Sequence, residues 1–380
     1  MSTLVSGRAT TLGTRRYMEC QGANFPAAHY SDFLNLHYKL SSLGLGSFSG
    51  AASDEVDAAY AAIIERAALA GINVFDTAAH YRYGRSARAV GEGLRRAFAQ
   101  GVAREGLFVV AKGGFLNFED GPPEDFPAWF RQHVVEPGLG TADDLTQAHL
   151  LAPAYIDRQI ERCREALGLA TLDAFLIDQP EVHIPRLGKE ELNRRLLRVF
   201  VTLERAVQEE RIACYGIATF HGLRAATDDA LFQSLTSLLG LAEKAARELG
   251  GAQAQHHFRV AQMPFNQAMP EGYTRFSQAT GQGNVASSMQ AAHQLKIYVM
   301  ASHSLLKGHL AAQSVDVVAQ ALAALPNPAQ RALQFNRSTP GLGTSLVGVS
   351  TPAHLDDVLA VAALEPMARA DYLRLYARAE

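Results

Sequence analysis

Short runs of β-branched and aromatic residues alternate with longer stretches whose apolar side chains recur at helical spacing, and this switching of period organises most of the chain. Residues 53–70 predict a helix, with Val56, Ala59, Tyr60, Ile63 and Ala67 on one face and Ser53 and Asp54 as the N-cap region. Gly71 stops that helix, and a strand follows from Ile72. A helix over 86–100 leads to a strand over 107–112, and Pro153, early as expected, opens a helix over 153–167. Strands are then expected over 172–177, 212–217, 260–265, 297–301 and 344–347. Helices are expected over 192–209, 231–249, 287–294, within 316–335, and over 352–363. With a first strand near Leu43, this β-α alternation predicts an α/β fold, a closed (β/α)8 barrel rather than a doubly wound sheet.

No linker rich in Pro, Gly or Ser divides the chain, so residues 1–380 read as one domain. Two segments break the rhythm. Residues 1–40 precede the first strand and read as an N-terminal extension along the barrel. Residues 115–150 are too long for an ordinary connection and carry Phe115, Phe118, Phe126, Trp129 and Phe130 among Pro and Gly. That loop is either packed on the barrel by its aromatics or forms a wall over the active face, and the two readings are compatible.

Composition narrows the function classes. At 48% hydrophobic residues the chain can build a globular core, and a net charge of −3 offers no field for a polyanion, so no nucleic acid is expected as partner. No apolar run is long enough for a bilayer span and no secretory leader is evident, so no membrane association is expected. Cys20, Cys163 and Cys214 are scattered and form no C-x-x-C, which suits reduced thiols of a cytoplasmic protein. His256, His257 and His303 have no companions at metal-ligand spacing, and no metal is expected. The expectation is a cytoplasmic enzyme, monomer or homodimer, acting on a small molecule.

Three residues concentrate the candidate chemistry. The strand from Ile72 stops at Asp76, with Tyr81 just beyond, and the strand over 107–112 stops at Lys112. In a (β/α)8 barrel these strand ends form the catalytic face. A Lys near a Tyr favours phenolate and lowers its pKa, and a carboxylate would hold the Lys in place. Together they make a proton donor, which is half of a carbonyl reduction. A structural ion pair beside a core Tyr is the bland alternative. Asp178 ends the fourth strand and is either a salt-bridged remnant or an acid kept protonated as a hydrogen-bond donor. His183 could reach back to it, and His80, Phe115 and Trp129 could line a substrate pocket. Gly44 to Gly50, GLGSFSG, has its last glycine one position late for a dinucleotide fingerprint and reads as the first barrel strand with its loop.

These pieces, in order, resemble the aldo/keto reductases. The stretch GINVFDTAAHYRYGRSARAVGEGL resembles that family's strand-and-helix signature. VVAK, ALGLATLDAFLI, RIACYGIATF, VAQMPFN and SLVGVSTPAHL resemble its later strands. The resemblance implies an NADPH-dependent oxidoreductase reducing a carbonyl or a conjugated C=C bond. Tyr81 would be the proton donor, with Lys112 and Asp76 supporting it. It implies NADPH along the strand ends, with Gln262 under the carboxamide and Phe265 stacked on the nicotinamide. Gly348, Val349 and Ser350 would bind the adenosine phosphate end with His354 beyond them. Gly44, Gly46 and Ser47 would form the floor, and Thr219 and Ser302 would complete the cradle.

Departures from the family pattern matter as much. FLID places Asp178 where the family has a catalytic His, Ala218-Thr219 replaces a Ser-Asn pair, and His354 and Val358 stand at usual Arg and Asn positions. These changes keep open a non-redox lyase, dehydratase or isomerase that uses Tyr81 and Asp178 as acid and base. They also leave open a cofactor-sensing protein.

Overall fold

A computed structural model describes residues 4–33, 36–119, 121–281 and 283–376; parts of the expected N-terminal extension (1–3, 34 and 35) and one position of the long loop (120) lie outside them. Eight parallel strands close into a barrel: β1 (Leu43–Gly46), β2 (Val74–Asp76), β3 (Phe108–Gly113), β4 (Leu172–Asp178), β5 (Ile212–Ala218), β6 (Phe258–Pro264), β7 (Tyr298–Ser302) and β8 (Thr344–Gly348). They pair in chain order, and β8 returns to β1 through Gly348 opposite Gly46. Nearly every strand residue is buried, because barrel strands face side chains on one side and helices on the other. Glycine permits the closest approach in this packing. A Cβ on Gly44 would lie 2.9 Å from the Thr344 methyl and 3.0 Å from the Val74 carbonyl.

Eight helices follow the strands: α1 (Asp54–Leu69), α2 (Arg85–Ala99), α3 (Pro153–Leu167), α4 (Ile184–Gln208), α5 (Leu235–Gly250), α6 (Ser288–Gln294), α7 (Pro328–Arg337) and α8 (Pro352–Ala362). Ser53 caps α1 by accepting from the Val56 amide, and Gly168, left-handed at φ 68°, ends α3. Helix α4 starts well before the expected residue 192. Its first turns reach back across Gly188 (φ 74°), which hides the helical period in the sequence. Among the described residues no helix is long and apolar enough to cross a membrane.

The N-terminal extension does more than run along the barrel. A helix (Thr11–Cys20) is followed by an antiparallel hairpin of Tyr30–Phe33 with Tyr38–Ser41. Phe33 from this hairpin packs against Phe108 and Tyr298, the first residues of β3 and β7, at ring separations of 5.7 and 4.9 Å. The hairpin therefore stoppers the N-terminal mouth, leaving the C-terminal mouth as the open end.

The long loop over 115–150 folds onto the rim with a small core of its own, made by Leu116, Phe130, Val134, Leu150, Ala152 and Tyr155. Gly114 and Leu116 exchange backbone hydrogen bonds with Leu150 and Ala148.

Candidate active site

Every strand that carries a candidate side chain delivers it at its C-terminal end. Asp76 ends β2, Lys112 is next to last in β3, Asp178 ends β4 and Ser302 ends β7. Asp178 pairs with Ala218 across β4 and β5, and Ala218 pairs with Gln262 across β5 and β6. Parallel register thus places these groups in one ring around the mouth.

At its centre lies an ion pair between Lys112 Nζ and the Asp76 carboxylate, both nearly sealed from solvent. Gln262 Nε2 donates to the other Asp76 oxygen at 3.0 Å. Lys112 Nζ also sits 5.0 Å from the centre of the Tyr81 ring. Tyr81 behaves differently from the sequence expectation: its phenol is pushed well above 10, not lowered. Burial is the main cause, and Asp178 and Asp76 add to it. Asp76 already neutralises Lys112, so little positive field is left for the phenol. The resting group is therefore a neutral O–H, which can donate a proton only as negative charge develops on a partner.

Asp178 is 5% exposed, and its carboxyl is raised from 3.8 to about 7. Burial dominates, Lys112 opposes it, and Asp76 and Glu181 reinforce it. Near neutral pH this acid can hold a proton. His80 Nε2 lies 3.9 Å from its Oδ2. The His80 ring is wedged between Tyr81 and Phe115 at 4.9 and 5.0 Å. His183 does not reach the Asp178 carboxyl. It contacts His149 at 2.9 Å, and His149 Nε2 meets the Asp178 main-chain carbonyl at 2.7 Å. Since a carbonyl only accepts, His149 Nε2 carries the proton and His183 Nε2 donates to His149 Nδ1. The pair clamps the long loop to the end of β4.

Backbone strain gathers at this rim. Arg82 and Tyr83, directly after Tyr81, and Gln179, directly after Asp178, are all left-handed at φ 49°, 58° and 48°. Arg82 is held by Asp57 at 2.6 Å and the Ala51 carbonyl at 2.9 Å, which fixes the backbone that carries Tyr81. Glu181 accepts amide hydrogens from Phe220 and His221, tying the loop after β4 to the loop after β5.

A cavity of about 530 Å³ runs across the mouth. Asp76, His80, Tyr81, Asp178 and Gln262 line one end. Gly46, Ser47 and Ser302 lie along it, and Gly348, Val349, Ser350 and His354 line the other end. Four expected contributors do not line it. Phe265 is fully buried and stacks on Phe335 at 5.9 Å, because the chain leaves the sheet after Pro264 and turns this ring into the helical layer. Thr219 is buried, and its hydroxyl accepts from the Leu223 amide at 3.3 Å. Trp129 stacks on His133 at 4.8 Å in a separate hollow of about 350 Å³ beside Arg158 and Arg162. Phe115 touches the site only through His80.

The cavity also holds residues that the sequence reading left out. Phe48 is 60% exposed and meets Tyr81 edge to face at 5.0 Å; Phe220, Gln179 and Lys307 join it. Their signals were faint: Phe48, Phe220 and Gln179 stand one or two positions past a strand end and Lys307 five past one, in turns that hydrophobic period does not describe.

The phosphate end suits an anionic dinucleotide. Helix α8 points its N-terminus there; Thr351 caps the His354 amide and Pro352 has no N–H, so the Ala353 amide is the first-turn donor left for an anion. The Asp357 carboxylate on the same cavity is already held by Asn327 and Gln330. Lys307, left-handed at φ 54° beside Gly308 at φ 95°, brings a cation into the cavity wall.

The family model for the aldo/keto reductase family matches residues 42–230. A D-threo-aldose 1-dehydrogenase from a Pseudomonas species is 30% identical over 158 residues, which span 42% of this chain and 43% of that relative. The chain thus matches less than half the length of that curated protein. An aldo/keto reductase from Klebsiella pneumoniae, solved with NADP and acetate, superposes with a TM-score of 0.57 at 17% identity, covering 89% of this chain and 91% of that one. A Bacillus halodurans aldo-keto reductase in its holo form gives 0.57 at 15% identity, covering 91% and 95%.

Proposed function

Because this chain belongs to the aldo/keto reductase superfamily, we propose that it is an NADPH-dependent oxidoreductase that reduces a carbonyl group of a small organic substrate, with Tyr81 as proton donor. The observation that carries this reading is Tyr81 beside the Lys112–Asp76 pair at one end of a single cavity whose other end suits phosphates.

NADPH, when bound, supplies the hydride from C4 of its nicotinamide to the carbonyl carbon. Gln262 and Ser302 would hold its nicotinamide end, Lys307 and Gly348 to Ser350 its phosphates, and His354 its adenosine end. Tyr81 protonates the carbonyl oxygen as charge grows there, so C=O becomes CH–OH. Lys112, held by Asp76 and set 5.0 Å from the Tyr81 ring centre, is the nearest cation to the phenolate that is left, and its field there is what Asp76 does not cancel. Asp178 in its protonated form donates a hydrogen bond to the same oxygen. The name of the Pseudomonas relative supports chemistry at a C–O centre, such as an aldose carbon, over reduction of a conjugated C=C bond.

Calorimetric titration with NADPH and NADH, followed by a panel of aldehydes, aldoses and enones, tests the proposal. Micromolar NADPH binding and its consumption with a carbonyl substrate are expected. Turnover that needs no nicotinamide would instead favour a lyase or isomerase using Tyr81 and Asp178 as acid and base.

A further inference from the structure

We propose that His80 is a second catalytic donor, supplying from the β2 loop the imidazole hydrogen bond that the end of β4, with Asp178, lacks; this rests on the reductase reading above. Three geometric observations carry it. First, His80 Nε2 and Asp178 Oδ2 both border the cavity beside Tyr81 and stand 3.9 Å apart. That gap is too long for a hydrogen bond between them. It is wide enough for one oxygen to sit ~2.8 Å from each, with the two directions meeting at roughly 90°. A carbonyl oxygen placed there has the Tyr81 ring as its neighbour, since that ring packs edge to face on His80.

Second, His80 Nδ1 is buried with no partner among the described residues. A buried N–H without an acceptor costs more than a bare ring lone pair, so the proton belongs on Nε2 and points at the gap. Third, Tyr81 on one face and Phe115 on the other hold the ring, so the donor is set before any substrate arrives.

Burial, helped by one nearby cation, keeps this imidazole neutral. Lys112, Asp178, Tyr81 and the neutral His149 face it, and burial followed by Lys112 drives His80 down from 6.5 to about 3. His80 therefore donates a hydrogen bond without ever giving up a proton, and Tyr81 remains the proton source.

Two measurements on the full chain test this. In nitrogen NMR of histidine-labelled protein, with His80→Gln assigning the signal, the His80 ring is expected as the neutral Nε2–H form from about pH 5.5 to about pH 8.5. Titration near the ordinary histidine value, or an Nδ1–H form, would overturn the proposal. In kinetics, His80→Leu is expected to lower kcat by about 10²–10³, with NADPH affinity unchanged. His80→Gln, whose amide N–H reaches the same place, should recover most of the loss. A wild-type protein that turns over carbonyls while His80→Leu stays within threefold of it sinks this inference alone. A wild-type protein that turns over none sinks the reductase reading and this inference with it.

Discussion

Two buried ion pairs sit at opposite ends of the same barrel, and they are built for different ends. At the stoppered N-terminal mouth, Arg104 and Asp173 meet at 2.8 Å, with side chains 4% and 0% exposed. The Asp173 carboxylate also accepts from the Ala9 and Val109 amides, and Arg104 also donates to the Leu107 and Thr171 carbonyls. Only Arg104 Nε lacks a partner there. At the open mouth, the Lys112–Asp76 pair is as buried, yet its neighbours are left short. The Tyr81 hydroxyl faces the cavity, and His80 Nδ1 and the Thr77 hydroxyl have no partner among the described residues. A buried charge pair by itself says little about function. The unpartnered polar atoms around one pair, against a single one at the other, separate a reaction site from a rivet.

The comparison breaks most sharply at Tyr81. Tyr81→Phe should cut kcat by about 10³ or more, within the range for loss of a positioned general acid. Thermal and urea midpoints should barely move, because the lost hydroxyl faces the cavity. Turnover that survives this change would remove the proton donor from the proposal. Arg104→Met is the mirror experiment. It leaves the Asp173 carboxylate buried and uncompensated, so stability should fall by about 3–5 kcal/mol in urea unfolding. The folded fraction should keep its kcat/KM. Loss of activity per folded molecule would mean that the two ends are coupled and that the division drawn here is wrong.

Much of this layout was legible in the sequence, where local chemistry and tertiary context agree. Helix α3 could be read from Pro153 to Leu167 because a proline opens it and a left-handed glycine closes it. Asp76, Lys112 and Asp178 could be found because each interrupts an apolar run where a strand meets the rim. Most of the failures come from contacts between residues far apart in the chain, and the rest from a proline or glycine that interrupts the local period. The hairpin that stoppers the barrel has short strands whose apolar partners, Phe108 and Tyr298, belong to distant elements. Phe265 follows a proline that ends strand alternation, so its direction could not be read from period. Lys112 was expected to lower the Tyr81 pKa, but that field depends on how completely Asp76 cancels it and on two carboxyls nearby. Only the folded arrangement reveals that balance.

Asp178 gives the next test, through pH. Its folded value of about 7 lies above the ordinary carboxylate 3.8. The native state therefore keeps a proton that the unfolded chain has lost over that interval. The stability contributed by this group is full below the unfolded value and is lost as pH rises through the folded one. Between about pH 5 and about pH 8 the urea midpoint of the wild type should fall more than that of Asp178→Asn, which cannot ionise. Over the same range wild-type kcat/KM for reduction should decline as the donated hydrogen is lost, while the Asn variant stays flatter. Parallel profiles for the two proteins would return Asp178 to the class of structural acids that Asp173 represents.

The smallest expected effect is at Phe48, and it sharpens the contrast best because no charge is involved. Phe33, under the barrel, is fully buried against the rings of Tyr38, Phe108 and Tyr298, whereas Phe48, over the open mouth, is 60% exposed and touches Tyr81 by its edge. Phe33→Ala should cost about 3–5 kcal/mol of stability, as loss of a buried ring does. Phe48→Ala should cost less than about 0.5 kcal/mol, as an exposed change does. If Phe48 is a wall for substrate, its loss should raise KM several-fold for bulky carbonyls, leave it unchanged for the smallest, and leave NADPH affinity alone. An equal shift in KM across all sizes would instead mean that the ring serves to orient Tyr81, and kcat would then fall with it.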